Sequence, residues 1–321
     1  HFVVTISIVF AVIGSHKKEN NPSVADNQNN ETTAEPTTEE ETTTKVPTIE
    51  VDLMMIGDML MHEGVVKSGL MDDGTYNFDH LYTNIAKDIS SADIKIVNQE
   101  TILGGSDFAY TGYPTFNSPW ALGDAEVKAG FNIILHATNH TLDKGLKGVE
   151  NCLSFWKTYH PDTPVLGINE TEEDYENIYV YEKEGCKIAF LNYTYGTNGI
   201  PIPDSKPYIV NMLDKDKITA DVTKAKQLAD MVIVLPHWGT EYVYTPDSNQ
   251  NYWTQLILSL GVDVVIGTHP HVLEPVEVVS DTKGHEMLVY YSLGNFVSNQ
   301  DQKPRMIGGM AKMTLVKDET G

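Results

Sequence analysis

The pentapeptide Gly267-Thr268-His269-Pro270-His271 sets two imidazoles two residues apart, directly after the apolar run Val262-Asp263-Val264-Val265-Ile266. In an extended segment, residues i and i+2 face the same side, and Pro270 fixes the backbone between them. Read this way, His269 and His271 aim at one point as a pair of metal ligands. Four further clusters follow apolar runs of the same kind. Asp58 follows Leu53-Met54-Met55-Ile56, and Glu100 ends Ile96-Val97-Asn98-Gln99. Asn139-His140 comes after Ile133-Ile134-Leu135, and His237 after Val232-Ile233-Val234-Leu235. In open α/β sheets, ligand sites form beyond the carboxyl ends of the strands. The pattern therefore predicts one site collecting Asp58, Glu100, Asn139, His237, His269 and His271 as metal ligands.

The donor types narrow the chemistry. No cysteine lies near these positions, which excludes a thiolate site, and mixed imidazole, carboxylate and amide donors suit Mn, Fe or Zn better than Ca or Mg. One or two divalent ions held this way activate water and clamp the oxygens of a displacement. Both histidines of the pair must be neutral to ligate, so affinity is expected to fall below about pH 6. His140 reads either as a ligand or as a general acid toward a leaving group. Asp143 either orients His140 or caps the next helix. Three residues are possible additional members: His62, if a helical turn begins there; Glu241, beside the site or in a solvated loop; and Asn295, at a strand end or in a plain turn. His136 reads as a core residue.

These residues need strands to carry them. Candidate strands are 50–57, 94–98, 131–136, 164–168, 178–182, 187–193, 231–236, 262–267, 275–280 and 286–292, with helices near 78–91, 122–129, 144–158, 214–229 and 249–260. Alternation of the two argues for largely parallel sheets. Glu182-Lys183-Glu184-Gly185 reads as a hairpin turn, and no helix separates the last two strands. A mixed, two-sheet α/β sandwich fits best, and no closing element is evident after the last candidate strand.

The N-terminal region differs from the rest. Residues 1–19 contain the apolar stretch Phe2–Gly14, too short for a membrane span. The chain begins with His1, so the stretch reads as the remnant of a signal peptide or as an N-terminal anchor. Ser15 occupies the place of a lipidated cysteine, so a lipid anchor is not supported. Residues 20–48 are an acidic, Thr/Glu-rich linker with too few apolar groups to offset ordering entropy, and 49–321 form the folded domain. The chain carries 45 acidic against 22 basic residues, a net charge of −23. That excludes a nucleic-acid partner, which requires basic surface. An anionic substrate would need a local positive centre of the kind a metal supplies. Cys152 and Cys186 read as unremarkable thiols.

Taken in order, Gly57-Asp58, Asn98-Gln99-Glu100, Asn139-His140 with Asp143 and Gly145, His237-Trp238-Gly239 with Glu241, Gly267-Thr268-His269-Pro270-His271 and Ser292-Leu293-Gly294-Asn295-Phe296 resemble the CapA family of bacterial poly-γ-glutamate capsule synthesis. The resemblance spans about residues 50–315. It implies a calcineurin-like metallophosphoesterase sandwich of two mixed β-sheets flanked by helices. It also implies a place at the extracellular face of the cell membrane, with poly-γ-glutamate or a related anionic polymer and membrane-bound capsule synthase components as partners. Two functions follow: a metal-dependent hydrolase of a phosphoester or γ-glutamyl bond, or a non-catalytic assembly component that holds polymer or synthase. The chain departs from the usual Asp-x-His first motif, since Met59-Leu60 follow Asp58, and Glu100 stands where an aspartate is usual.

Overall fold

The computed structural model describes residues 48–318, together with the backbone of strand residues 5–6 and 9–11. The remainder of the apolar leader, and the 20–48 linker up to Thr48, lie outside the described residues. Among the described residues, no helix is long and apolar enough to cross a membrane.

The strands are β1 (Thr5–Ile6), β2 (Val9–Ala11), β3 (Ile49–Met59), β4 (Ile94–Asn98), β5 (Ile133–Leu135), β6 (Val165–Leu166), β7 (Tyr179–Lys183), β8 (Cys186–Thr194), β9 (Met231–His237), β10 (Val264–Ile266), β11 (Val276–Ser280), β12 (Glu286–Tyr290), β13 (Asn295–Val297) and β14 (Gly308–Lys317). The helices are α1 (Glu63–Ser68), α2 (Ala86–Ser91), α3 (Trp120–Ala129), α4 (Gly145–Tyr159), α5 (Glu172–Glu176), α6 (Lys215–Leu228) and α7 (Ser248–Ser259). Two mixed sheets result. One runs β1-β14-β3-β4-β5-β6, with β2 added on β14 and β13 on β3; the other runs β11-β12-β10-β9-β8-β7.

Strand composition explains the layering. Along β3, Val51, Leu53 and Met55 face the other sheet, while Met54, Ile56 and Met59 face the helices. A strand apolar on both faces belongs inside a sandwich covered on both sides. The same alternation divides β9, whose Met231, Ile233 and Leu235 join the core between the sheets and whose Val232 and Val234 pack under α6 and α7. The order is therefore helices, sheet, sheet, helices, as the resemblance implies. Strands β3, β4, β5 and β6 run parallel, as do β8, β9, β10 and β12. Their carboxyl ends meet at one rim. The hairpin is where expected: β7 pairs antiparallel with β8, and Glu184 and Gly185 take the left-handed φ values of 53° and 85° that a tight turn needs.

Two expectations change. A closing element does exist: β14 pairs antiparallel with β3 over eight residue pairs, from Met310–Ile56 to Lys317–Ile49. Its Gly308-Gly309 start and interspersed Lys312 and Thr314 hide the buried row of Met310, Ala311, Met313 and Leu315. Short α1 and α5 also went unread, α5 being set by a Thr171/Asp174 capping box rather than by any apolar face. Cys152 and Cys186 are buried free thiols in different cores.

Candidate metal centre

Each of the six expected ligands stands at or just beyond a strand end, and the structure brings all six together. Asp58, at the end of β3, lies with Oδ2 3.3 Å from His271 Nδ1 and Oδ1 3.9 Å from His237 Nδ1. Glu100 Oε1 is 3.8 Å from His237 Nε2 and 3.6 Å from His271 Nε2. Asn139 Oδ1 is 2.8 Å from His237 Nε2. Donor atoms of Glu100, His269 and His271 all lie within 4.8 Å of one another. Every one of these side chains is buried.

The route to this convergence differs from the expected one. Gly267-Thr268-His269-Pro270-His271 is not extended. His269 has φ 102° and His271 φ 58°, both left-handed. Such backbone costs on the order of 1–3 kcal/mol per residue and persists where surrounding contacts over-determine it. Those contacts are visible. His269 N donates to Asp58 Oδ2 at 3.2 Å, Trp238 N donates to Thr268 O at 3.0 Å, and Tyr242 N donates to Pro270 O at 2.8 Å. The two imidazoles meet because the backbone is turned, not because i and i+2 align along a strand.

The strands themselves approach closely behind this turn. A Cβ on Gly267 would lie 2.2 Å from Tyr291 O, and one on Gly57 2.0 Å from Gly294 O. Gly267→Ala is expected to cost roughly 1–3 kcal/mol, the overpacking range. The metal-free protein should then melt lower by roughly 2–12 °C, a shift that thermal unfolding measures. An unchanged melting temperature would show that the strand ends have slack.

His140 sits beside the ligand cluster without belonging to it. Its Nδ1 is 2.7 Å from Asp143 Oδ2, and Phe116 N donates to the same oxygen at 2.6 Å. Asp143 is thus an orienter of His140. It does not cap α4, which begins at Gly145 with no side-chain cap. Phe116 packs edge-on against the His140 ring at 4.6 Å, and Asn198 Nδ2 approaches Nδ1 at 3.3 Å. With Nδ1 committed, Nε2 is the ring atom left to meet a ligand.

The three additional candidates separate. Asn295 braces His271, its Oδ1 2.8 Å from His271 Nδ1. His62 is half-buried at the start of α1, where its Nδ1 accepts from Asn299 N at 3.3 Å, and it contacts none of the six ligands. Glu241 is exposed and reaches the cluster only through its charge, which acts on Glu100 and His271. His136 is a core residue as expected: Trp156 Nε1 donates to its Nε2 at 2.9 Å, and burial lowers its pKa to about 3. Sequence reading passed over Asn98, whose Nδ2 donates to Asp58 Oδ1 at 2.8 Å and lies 3.4 Å from His237 Nδ1. Its signal was a polar residue ending an apolar strand.

Burial and mutual charge set the electrostatics. Burial, and then the neighbouring imidazoles, hold His237 and His269 well below the usual histidine range, hence neutral. Burial also pushes His271 down, but the Glu100 and Asp58 carboxylates overcome it and raise its pKa to about 9. Burial, reinforced by Asp58 and Glu241, drives Glu100 well up. Both Glu100 oxygens and His269 Nδ1 are buried with no hydrogen-bond partner. Unmet buried polar atoms of this kind are costly. Donors of Glu100, His269 and His271 within 4.8 Å of one another, with the Glu100 oxygens and His269 Nδ1 unpaired, fit a divalent cation, and Asp58, Asn139 and His237 stand beside them to complete its shell.

Comparison with known proteins agrees with the sequence resemblance. The family model of the bacterial capsule synthesis protein PGA_cap matches residues 52–300, well over half of the chain. The PGA biosynthesis protein CapA of Bacillus subtilis (strain 168) is 31% identical over 193 residues, 60% of this chain and 49% of that protein. The capsule biosynthesis protein CapA of Bacillus anthracis is 27% identical over 260 residues, 78% of this chain and 60% of that protein. The chain thus spans between about half and three fifths of these relatives' lengths. Among solved structures, the NAD nucleotidase of Haemophilus influenzae is 14% identical with a TM-score of 0.49, over 85% of this chain and 48% of that one. A 5'-nucleotidase from Staphylococcus aureus is 15% identical with a TM-score of 0.49, over 80% and 57%.

Proposed function

This chain belongs to the bacterial capsule synthesis protein family PGA_cap, and from that premise we propose that it serves poly-γ-glutamate capsule synthesis as a metal-dependent hydrolase at the outer face of the cell membrane. The bond it cleaves is a γ-glutamyl amide of the polymer or a phosphoester. One observation carries the reading: buried, unpaired Glu100 oxygens and His269 Nδ1 sit in a six-residue donor cluster with the His140–Asp143 pair beside it. A scaffold that only held polymer would have no need of an oriented imidazole next to such a cluster.

A bound divalent ion, Mn, Fe or Zn by donor type, supplies Lewis acidity and a water activated near neutral pH. Asp58, Glu100, Asn139, His237, His269 and His271 are the residues that hold it. Asn98 and Asn295 fix Asp58, His237 and His271 in place. Asp143 keeps the Nδ1 proton on His140, so a protonated Nε2 can pass its proton to the leaving group. Phe116 covers that ring and limits water at the proton-transfer site.

Elemental analysis combined with turnover tests the proposal. The purified protein is expected to carry a transition metal or zinc. The metal-loaded form should release product from poly-γ-glutamate or from p-nitrophenyl phosphate, and chelator should abolish the release. Metal binding without turnover on either substrate would favour the non-catalytic assembly role, with membrane-bound synthase components as partners.

A further inference from the structure

Arg305 is the only arginine in the sequence; all the other basic residues among its 22 Lys and Arg are lysines. It lies in the short turn Lys303–Met306, half-buried, with its guanidinium carbon 3.5 Å from the centroid of the Tyr242 ring. The Tyr242 ring in turn lies against the His271 ring, with centroids 6.0 Å apart. One aromatic ring therefore separates this guanidinium from a metal ligand.

Both halves of the stack are tied to the metal turn. Tyr242, at a left-handed φ of 64°, donates its N–H to Pro270 O at 2.8 Å. Gln300 Nε2 donates to its hydroxyl at 3.1 Å. Asn295 Nδ2 donates to Arg305 O at 2.9 Å, and the same Asn295 holds His271 through Oδ1. The position of the guanidinium is thereby fixed relative to His271.

Stacking occupies the face of a guanidinium and leaves its N–H donors free in the plane. In a chain of net charge −23, carboxylates are plentiful. Yet, among the described residues, no carboxylate stands within ion-pair distance of Arg305, and its guanidinium stacks on Tyr242. A fixed, unpaired, forked donor beside a hydrolytic centre matches a bidentate oxyanion on the ligand.

We propose that Arg305 clamps an α-carboxylate of a γ-linked glutamyl chain next to the bond held at the metal centre. This rests on the polymer reading above, which places one such carboxylate on every residue of the substrate. Arg305 then acts as a specificity-determining residue, and the Tyr242 ring as its platform.

The test is binding, so it does not depend on turnover. Affinity of the metal-loaded protein for tetra-γ-glutamate, for its α-carboxamide counterpart and for inorganic phosphate is measured by calorimetry for wild type, Arg305→Lys and Arg305→Gln. Wild type should prefer the acid. Arg305→Gln should lose about tenfold or more for the acid and nothing for the amide, at unchanged metal content and melting temperature. Arg305→Lys should fall between, because it keeps charge but loses the fork. Equal binding of acid and amide by wild type would overturn the clamp, as would an acid affinity of Arg305→Gln within twofold of wild type. So would a loss confined to inorganic phosphate. If wild type hydrolyses nothing yet Arg305→Gln loses the acid preference, the hydrolase proposal fails and the clamp stands.

Discussion

His269→Ala and His271→Ala are each expected to empty the metal centre and to lower the melting temperature at neutral pH by roughly 5–16 °C. The magnitude follows from linkage. A ligand present at 100- to 1,000-fold over its dissociation constant stabilises by about 2.7–4.1 kcal/mol, and a domain of this size shifts by roughly 2–4 °C per kcal/mol. Chelator should bring wild type down by the same amount and do little to either variant. The pH dependence separates this from simple loss of packing. His271 has a pKa of about 9 in the folded, metal-free protein against 6.5 for an ordinary histidine. Its pairing with Glu100 and Asp58 therefore stabilises fully below about pH 6.5 and is lost as pH rises toward 9. Glu100, also raised, acts in the same direction. Metal binding must displace these protons, so affinity should rise across the same window, beginning to weaken well above the pH 6 that unperturbed histidines suggest. The melting-temperature gap between metal-loaded and chelated wild type should widen from pH 6.5 to 9. Variants that retain full metal content, or a gap that narrows, would make this cluster structural.

The strand ends were legible because their signal is local. An apolar run that stops at Asp58, Glu100, Asn139 or His237 announces both the strand and the direction of its end, and parallel pairing does the rest. The layered sandwich followed from the same runs, since strands apolar on both faces must be covered on both. Legibility failed where tertiary contacts decide. The left-handed turn at His269 and His271 is held by Asp58 and Tyr242, residues 211 and 28 positions away from those they contact, and no propensity encodes it. Asn98 and Asn295 look like ordinary turn residues until their partners are in place. The Tyr242–Arg305 stack joins two loops that carry no shared pattern. β14 was hidden because its outer face is polar and its start is Gly308-Gly309. A strand of that kind is defined by the neighbour it completes.

His140→Ala should lower turnover of the metal-loaded protein by about 10²–10⁴-fold, the range for a positioned general acid, with metal content unchanged. The distinction from the ligand variants is geometric. His140 directs Nδ1 to Asp143, outside the donor cluster, so its removal leaves Asp58, Glu100, Asn139, His237, His269 and His271 intact. Asp143→Asn provides the sharper test. Phe116 N can still donate to the amide oxygen, so the loop keeps its anchor. The same amide oxygen still accepts from His140 Nδ1, but the amide has no charge to stabilise an imidazolium. As a positioning residue, Asp143 should cost about 10–100-fold, the range for a group that orients another. The loss should fall on turnover of the metal-loaded protein and leave metal content unchanged. A loss of rate matched by a loss of bound metal or of melting temperature would reduce Asp143 to a structural prop. Full turnover by His140→Ala would transfer the proton-delivery role to another group at the rim and remove the feature that most distinguishes this centre from a passive metal site.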